Sequence, residues 1–344
     1  MQTNKFILLI KFLLAGFVGL GSIYISSFFV GHFNADVHHN LAIFFSKEGV
    51  WTKAPLFESK MAQYPIDIRE KYLETGGALD HYETVIKLNP AYPMALYFTG
   101  NVYNDWGSQR MQESYNARSQ GQVDEAIRLR EKAQEMWDKS EAAYDRTKAL
   151  APNYVQTHHQ VGLLYLKEGE VADNWGEKAK ADELYAKAYK SFELYSMIDP
   201  IFPPNYDRMV QVLVRQKDFE KAIVLYQKCI DMNLSLSKAI YGAPAASRLS
   251  EVHQSLAKLY LTKALSVNPN PYNPDNAEVI QAIENFKKSV EFNPENVEAL
   301  KGVGFLLDRV NKKEEAQVFW RKAIQLSPND PDIKFQPALS QPVR

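Results

Sequence analysis

The residue types that most often carry chemistry are sparse in this chain and badly spaced for it. Two adjacent histidine pairs, His38-His39 and His158-His159, come nearest to a ligand cluster. Neighbouring helix residues point about 100° apart, so neither pair can offer both rings to one ion. The single cysteine, Cys229, can form no internal disulfide and lies far from the N-terminus, where a lipoprotein cysteine would sit. No set of Cys and His ligands is present, so neither a metal nor another cofactor is expected. Carboxylates are plentiful but scattered, as solvated helix faces are. No G-x-S-x-G, Walker loop, G-x-G-x-x-G or H-E-x-x-H motif occurs, and the expectation is a protein that is not an enzyme. Forty basic side chains against 41 acidic ones give a formal charge of −1, without the basic excess that nucleic-acid binding requires.

The elements that could position a binding surface are clearer. Phe12 to Val30 is a run of nineteen residues without a charge. As a helix it covers roughly 28 Å, the thickness of a bilayer core. Lys5 and Lys11 precede it, and no Lys or Arg follows until Lys47. That asymmetry puts 1–11 in the cytoplasm and the rest on the far side, the periplasm in a bacterium. The run is longer than the apolar core of a cleaved signal peptide, and bulky neighbours spoil the small residues Ser22, Ser26 and Ala35 as a cleavage site. Ala15 and Gly19 form a small-xxx-small pair on this helix.

Beyond it the sequence repeats itself. One motif reads LYFTGNVY from Leu96, HHQVGLLY from His158, HQSLAKLY from His253 and LKGVGFLL from Leu300. A second motif, alanine then an aromatic then a closing proline, ends at Pro90, Pro152, Pro200, Pro294 and Pro328, with a copy at Ala222–Leu234 that lacks the proline. In this order the motifs resemble the tetratricopeptide-repeat (TPR) family over about Asn34 to Pro328. The resemblance implies an all-α fold, a right-handed superhelix of antiparallel helix pairs, here preceded by one transmembrane helix. Gly100, Gly162 and Gly304 would let two helices approach closely. Tyr144, Phe192, Tyr226, Phe286 and Trp320 would fill the space between one pair and the next. Each closing proline would end its helix.

Spacing refines this. Pro294 to Pro328 is 34 residues, one repeat; Pro152 to Pro200 is 48, and Pro90 to Pro152 is 62. The excess falls inside a pair, around Ser119-Gln120-Gly121 and Asn174-Trp175-Gly176, and a third insertion centres on Asn268–Asn276. Both legs of these pairs are expected to be lengthened as helical arms. The resulting organisation is 1–11 cytoplasmic, 12–30 anchor, 31–90 degenerate or compressed repeats, 91–328 the array with elongated pairs at 93–152 and 155–200, and 329–344 a short tail. Within 31–90, Asn40 to Pro65 reads as a first repeat broken by Pro55, and in the tail Ile333 to Leu339 could cover the last pair.

The resemblance also implies a function. The concave groove of such arrays binds extended segments of partner proteins, and in family register its face here carries Tyr97, Asn101, Asn104, His159, Leu163, Asp207 and Gln211. The carboxylate clamp by which some members grip chaperone C-termini needs Lys and Asn, then Lys and Arg, on successive first helices. Only Asn101 matches, so chaperone binding of that kind is not expected. The leading expectation is a membrane-anchored scaffold in a cell-envelope complex, acting through groove or arms. The order of anchor, irregular repeat and repeat units also resembles the tail of membrane O-antigen ligase or polymerase proteins, which would make it an accessory of polysaccharide assembly. Similarity to anchored organelle import receptors offers a third role, as a receptor for polypeptides with a cytosolic array.

Overall fold

The spacing of small and aromatic residues sets the helix pairs of this protein. The computed structural model describes residues 2–47, 49–52, 76–242 and 244–331, with side chains from residue 16 onward. The sequence expectations for Pro55, Pro65 and Ile333–Leu339 fall outside the described residues. Among the described residues there are twelve α-helices and no strand. The chain divides into two units, Met1–Gln160 and Val161–Arg344. The first holds α1 (Gln2–Lys47), α2 (Ala78–Leu88), α3 (Pro93–Ser119) and α4 (Val123–Leu150). Helix α5 (Val155–Asn174) begins there and runs into the second. The second continues with α6 (Lys178–Ile198), α7 (Pro203–Arg215), α8 (Phe219–Tyr241), α9 (Ala246–Val267), α10 (Ala277–Phe292), α11 (Val297–Arg309) and α12 (Lys313–Leu326).

The last pair gives the basic length, with 13 residues in α11 and 14 in α12. Helices α3 and α4 have 27 and 28 residues, fourteen more each; α5 and α6 have 20 and 21, seven more each. Seven residues are close to two helical turns, so the added length returns to the same face. In α3 and α4 the facing rungs are Gly100 with Ser140, Gly107 with Ala133, and Ser114 with Ala126. The Ser140 hydroxyl donates to the Gly100 carbonyl at 2.8 Å, and the Ser114 hydroxyl to that of Ala126 at 2.6 Å. A Cβ on Gly107 would lie 3.0 Å from the Ala133 oxygen and 2.4 Å from Trp137 Nε1. The ascending and descending numbers show that the legs run antiparallel, as helical arms.

The aromatic residues sit differently from the sequence expectation. Tyr144 lies over Gly100, Phe192 over Gly162 and Trp320 over Gly304, each inside its own pair rather than between pairs. The glycine removes the side chain that the ring would meet, and full burial of a ring the size of Phe192 contributes about 1.5–3 kcal/mol. Phe286 does lie against the following pair, at Gly302. The arms repeat the device one heptad out, with Trp137 over Gly107 and Tyr185 over Gly169.

Four hairpin tips are built alike, and the α9–α10 connection through Asn268–Asn276 is not. An amide beyond the tip bonds back to the first helix from Gln122 to Ala117, Glu177 to Ala172, Asp218 to Leu213, and Lys312 to Leu307. Gly121 and Gly176 supply the left-handed residue in the arms, at φ 78° and 79°; Lys217 and Asn311 adopt the same region in the short pairs. Where the closing proline is missing after Leu234, α8 runs on to Tyr241 and stops at Gly242, φ 76°. Asn276 and Asn296 cap α10 and α11 by accepting backbone N–H bonds, as expected for helix starts.

No break separates the apolar run from the first unit. Helix α1 is continuous from Gln2 to Lys47 and is long and apolar enough to cross a membrane, or to act as a signal sequence. Phe17, Leu20, Ile23, Tyr24, Phe29 and Phe33 are all exposed, whereas Ala35, Ala42 and Phe45 are buried against Tyr82 and Val85 of α2. At this junction the His38 and His81 Nδ1 atoms are 2.9 Å apart, and the Phe45 ring stacks on His81 at 5.3 Å. One nitrogen must donate and the other accept, so the accepting nitrogen carries no proton.

Two outcomes follow. Gly107→Leu is expected to cost about 1–3 kcal/mol by overpacking, read as a lower thermal midpoint, while the exposed Gln109→Leu leaves it nearly unchanged. Burial first, and then His38, lower the His81 pKa to about 4. The unfolded chain, with a histidine near 6.5, then binds a proton that the folded one refuses. Stability is therefore full above about pH 6.5 and falls as the pH drops towards about 4. Urea unfolding across that window should show the loss, and His81→Phe should flatten it.

Candidate peptide-binding groove

The first helix of each pair, α3, α5, α7, α9 and α11, presents one face at matching register positions. Tyr97, Asn101 and Asn104 converge on Tyr144. Tyr97 is only 7% exposed, its ring 6.1 Å from Tyr144 and 5.2 Å from Tyr154. The Tyr144 hydroxyl donates to Asn101 Oδ1 at 2.7 Å. Asn104 is buried, and its carbonyl accepts from Trp137 Nε1 at 3.3 Å and from the Ser108 hydroxyl at 2.7 Å. His159 is half-buried, and Leu163 packs partly buried against the core of the second unit.

On α7, Asp207 accepts from the Tyr226 hydroxyl at 2.6 Å. Burial first, and then this carboxylate, hold the phenol well above its ordinary pKa, so it remains a donor. Gln211 donates to Glu170 at 3.1 Å and accepts from Arg208 at 3.1 Å. Glu170 also takes Arg215 at 2.7 Å, and that guanidinium lies 5.1 Å over the Tyr185 ring. The Tyr185 hydroxyl donates to Asp173 at 2.9 Å. The same logic recurs at the C-terminal pair, where Trp320 Nε1 donates to Asp308 at 2.8 Å. A buried ring with a polar tip needs a partner, and the first helix supplies it. Part of the polar face read from sequence is thus turned inward to hold the second helix. Asn101, His159, Leu163, Asp207 and Gln211 remain half-exposed.

A further concavity lies along the second unit and was not among the sequence candidates. It is a cleft of about 630 Å³ with Leu261 of α9 and Phe305 of α11 on its walls and Phe286 and Trp320 beneath. Gly302 lines it as well, and a Cβ there would come within 2.8 Å of the Phe286 ring. Lys258 is exposed at the rim. Lys301, 12% exposed by its side chain, is paired with Glu298 at 2.7 Å and Asp330 at 3.0 Å. The Asn268–Asn276 segment folds back so that Tyr272 meets Phe305 edge-on at 5.8 Å, and Arg309 covers both rings. Half-exposed apolar walls with a polar rim suit a bulky apolar side chain of an extended peptide. The signal was present in the sequence: Lys301 and Phe305 occupy the register places of Tyr97 and Asn101, and Lys258 that of Asn101. Among the described residues no group of three or more His, Cys, Asp or Glu could hold a metal ion.

The tetratricopeptide-repeat family model matches residues 203–235, which hold α7 and most of α8. No curated protein matches the chain. Among solved structures, MamA is similar at 19% identity over 62% of this chain and 94% of its own, with a TM-score of 0.36. YrrB, described as a TPR protein with an unusual peptide-binding site, is similar at 14% identity over 74% and 95%, TM-score 0.36. Yeast Tom70 is similar at 15% identity over 85% and 51%, TM-score 0.40.

Proposed function

We propose that this chain, built from tetratricopeptide repeats, is a non-catalytic scaffold that binds extended segments of partner proteins and is held in a membrane by α1. The cleft between Leu261 and Phe305 carries the reading. It joins accessible apolar walls, an aromatic floor and a polar rim on the first-helix face of the last two pairs. Within the second unit, Leu163, Asp207 and Gln211 would offer side chains to the backbone of a bound peptide; within the first, Asn101 and His159 would do the same on their own helices, with Tyr97 and Asn104 beneath. The arms add further surface for a partner.

Membrane attachment is supported by the exposed apolar side chains from Phe17 to Phe33, which water solvates poorly. In this reading 1–11 is cytoplasmic, 12–30 spans the bilayer, and the array lies in the periplasm of a bacterium, the direction favoured by Lys5 and Lys11. The partners would then be proteins of a cell-envelope complex.

The intact chain in detergent should select peptides with a bulky apolar residue from a random display library. Phe305→Ala should weaken that binding roughly tenfold or more, as loss of a central anchor does, in a chain that still unfolds cooperatively above the temperature of the binding assay. Failure to select any peptide, or unchanged binding by Phe305→Ala, overturns the groove assignment. A C-terminal tag digested once only the outer barrier is opened would support the periplasmic direction; protection until the inner membrane is lysed would reverse it.

A further inference from the structure

We propose that the first unit stands upright on the bilayer, with the α2–α3 and α4–α5 turns against lipid headgroups and the α3–α4 arm directed away. This rests on the reading of α1 as a membrane span. Contacts along the continuous helix α1 set the levels. Helix α2 descends α1: His81 meets His38 at 2.9 Å, and Tyr92, just past the end of α2, bonds Asp36 at 3.2 Å. Helix α3 then ascends beside α1. Its start is marked by the His39 contacts to Tyr92 and Phe98, at 5.1 and 5.6 Å, and a higher level by Trp51 against Trp106 at 5.7 Å. Asp36, the first charged residue beyond the apolar run, is about 9 Å past Val30 at 1.5 Å per residue. A headgroup layer adds roughly 5–8 Å to each side of the hydrocarbon. The Tyr92 turn therefore sits at the outer edge of the headgroups. From there α3 rises about 40 Å to Ser119, so the arm tip is far from lipid.

The α4–α5 turn reaches the same level, because the Tyr154 ring packs on Tyr97 near the foot of α3. The two turns share a composition that suits lipid. They read LNPAY (Leu88–Tyr92) and LAPNY (Leu150–Tyr154), without a charge, and Leu88 and Leu150 are both exposed. Three of the closing turns of the second unit carry acids, at Asp199, Glu295 and Asp330, and only the α8–α9 connection, where the repeat has lost its regular closing proline, is uncharged. Lys87 and Lys148 stand near the two turns, paired with Glu83 and Asp145 at 2.7 Å. An uncharged apolar turn flanked by lysine is favourable at a phospholipid surface and has no comparable advantage in water.

The test is depth-dependent quenching of a fluorophore on single engineered cysteines. The native Cys229 is buried, its thiol pushed up to about 12 by burial, and does not compete for label. The full chain would be reconstituted into phosphatidylcholine–phosphatidylglycerol vesicles and labelled at A91C, N153C, Q120C or I23C. With a headgroup-nitroxide lipid, the A91C and N153C labels should lose most of their fluorescence and the Q120C label at the arm tip should keep it. With an acyl-chain nitroxide, the I23C label should be quenched. Quenching at I23C without quenching at A91C and N153C, or with equal quenching at Q120C, overturns the upright orientation and leaves the span intact. Absence of quenching at I23C removes the span itself, and this proposal with it.

Discussion

Everything in this structure depends on two helix backbones being allowed to approach until an aromatic ring on one rests on a bare glycine of the other. Gly100 under Tyr144, Gly162 under Phe192 and Gly304 under Trp320 are the same contact in three pairs. The approach excludes water, so the polar tip of the aromatic must find a partner within the pair. Asn101 and Asp308 provide it for Tyr144 and Trp320. Polar residues on the first-helix face are therefore held by the second helix of their pair, and an apolar cleft opens where a glycine, Gly302, leaves aromatic floor uncovered.

Helix α1 meets a second constraint, since one continuous element must suit two surroundings. From Phe17 to Phe33 its apolar side chains are exposed; from Ala35 onward a stripe is buried, against α2 and the start of α3. The change occurs without proline or glycine-induced interruption of the helix. The histidines at the changeover fill space that elsewhere belongs to aliphatic residues. His81, enclosed by Phe45 and His38, is a polar group whose charge the packing does not accommodate.

Much of this was legible in the sequence. The proline spacings of 62 and 48 residues match the lengths of α3–α4 and α5–α6, where the inserted residues divide equally between the legs. The insertion at Asn268–Asn276 does not divide equally, leaving 22 residues in α9, 16 in α10 and a non-helical connection. Gly100, Gly162 and Gly304 stood out because the repeat motif marks them. Gly107 and Gly169 did not, since a 34-residue template has no place for a second glycine seven residues on. Phe286 packs between pairs as expected, whereas Tyr144, Phe192 and Trp320 lie within their own pairs, because sequence order does not distinguish packing within a pair from packing between pairs. The His38–His81 contact joins residues 43 apart across a segment with no repeat signature, and the adjacency of His38 and His39 drew attention to the less relevant pairing. At the groove, register identified the face but not which residues on it turn inward, because that depends on the reach of a tyrosine from the neighbouring helix.

The tip shared by α3–α4, α5–α6 and α11–α12 has a consequence for how such a molecule can change. In these three pairs the turn and the foot are fixed pieces, and what lies between them is a stack of interchangeable seven-residue modules, none, one or two per leg. Reach is therefore a counted quantity, rising in increments of about 10 Å. An increment of three or four residues would rotate the tip and carry the small-residue column off the seam, whereas a whole module leaves both in phase. The arms behave as a ruler with coarse divisions, and selection acting on their length can move only from one division to the next.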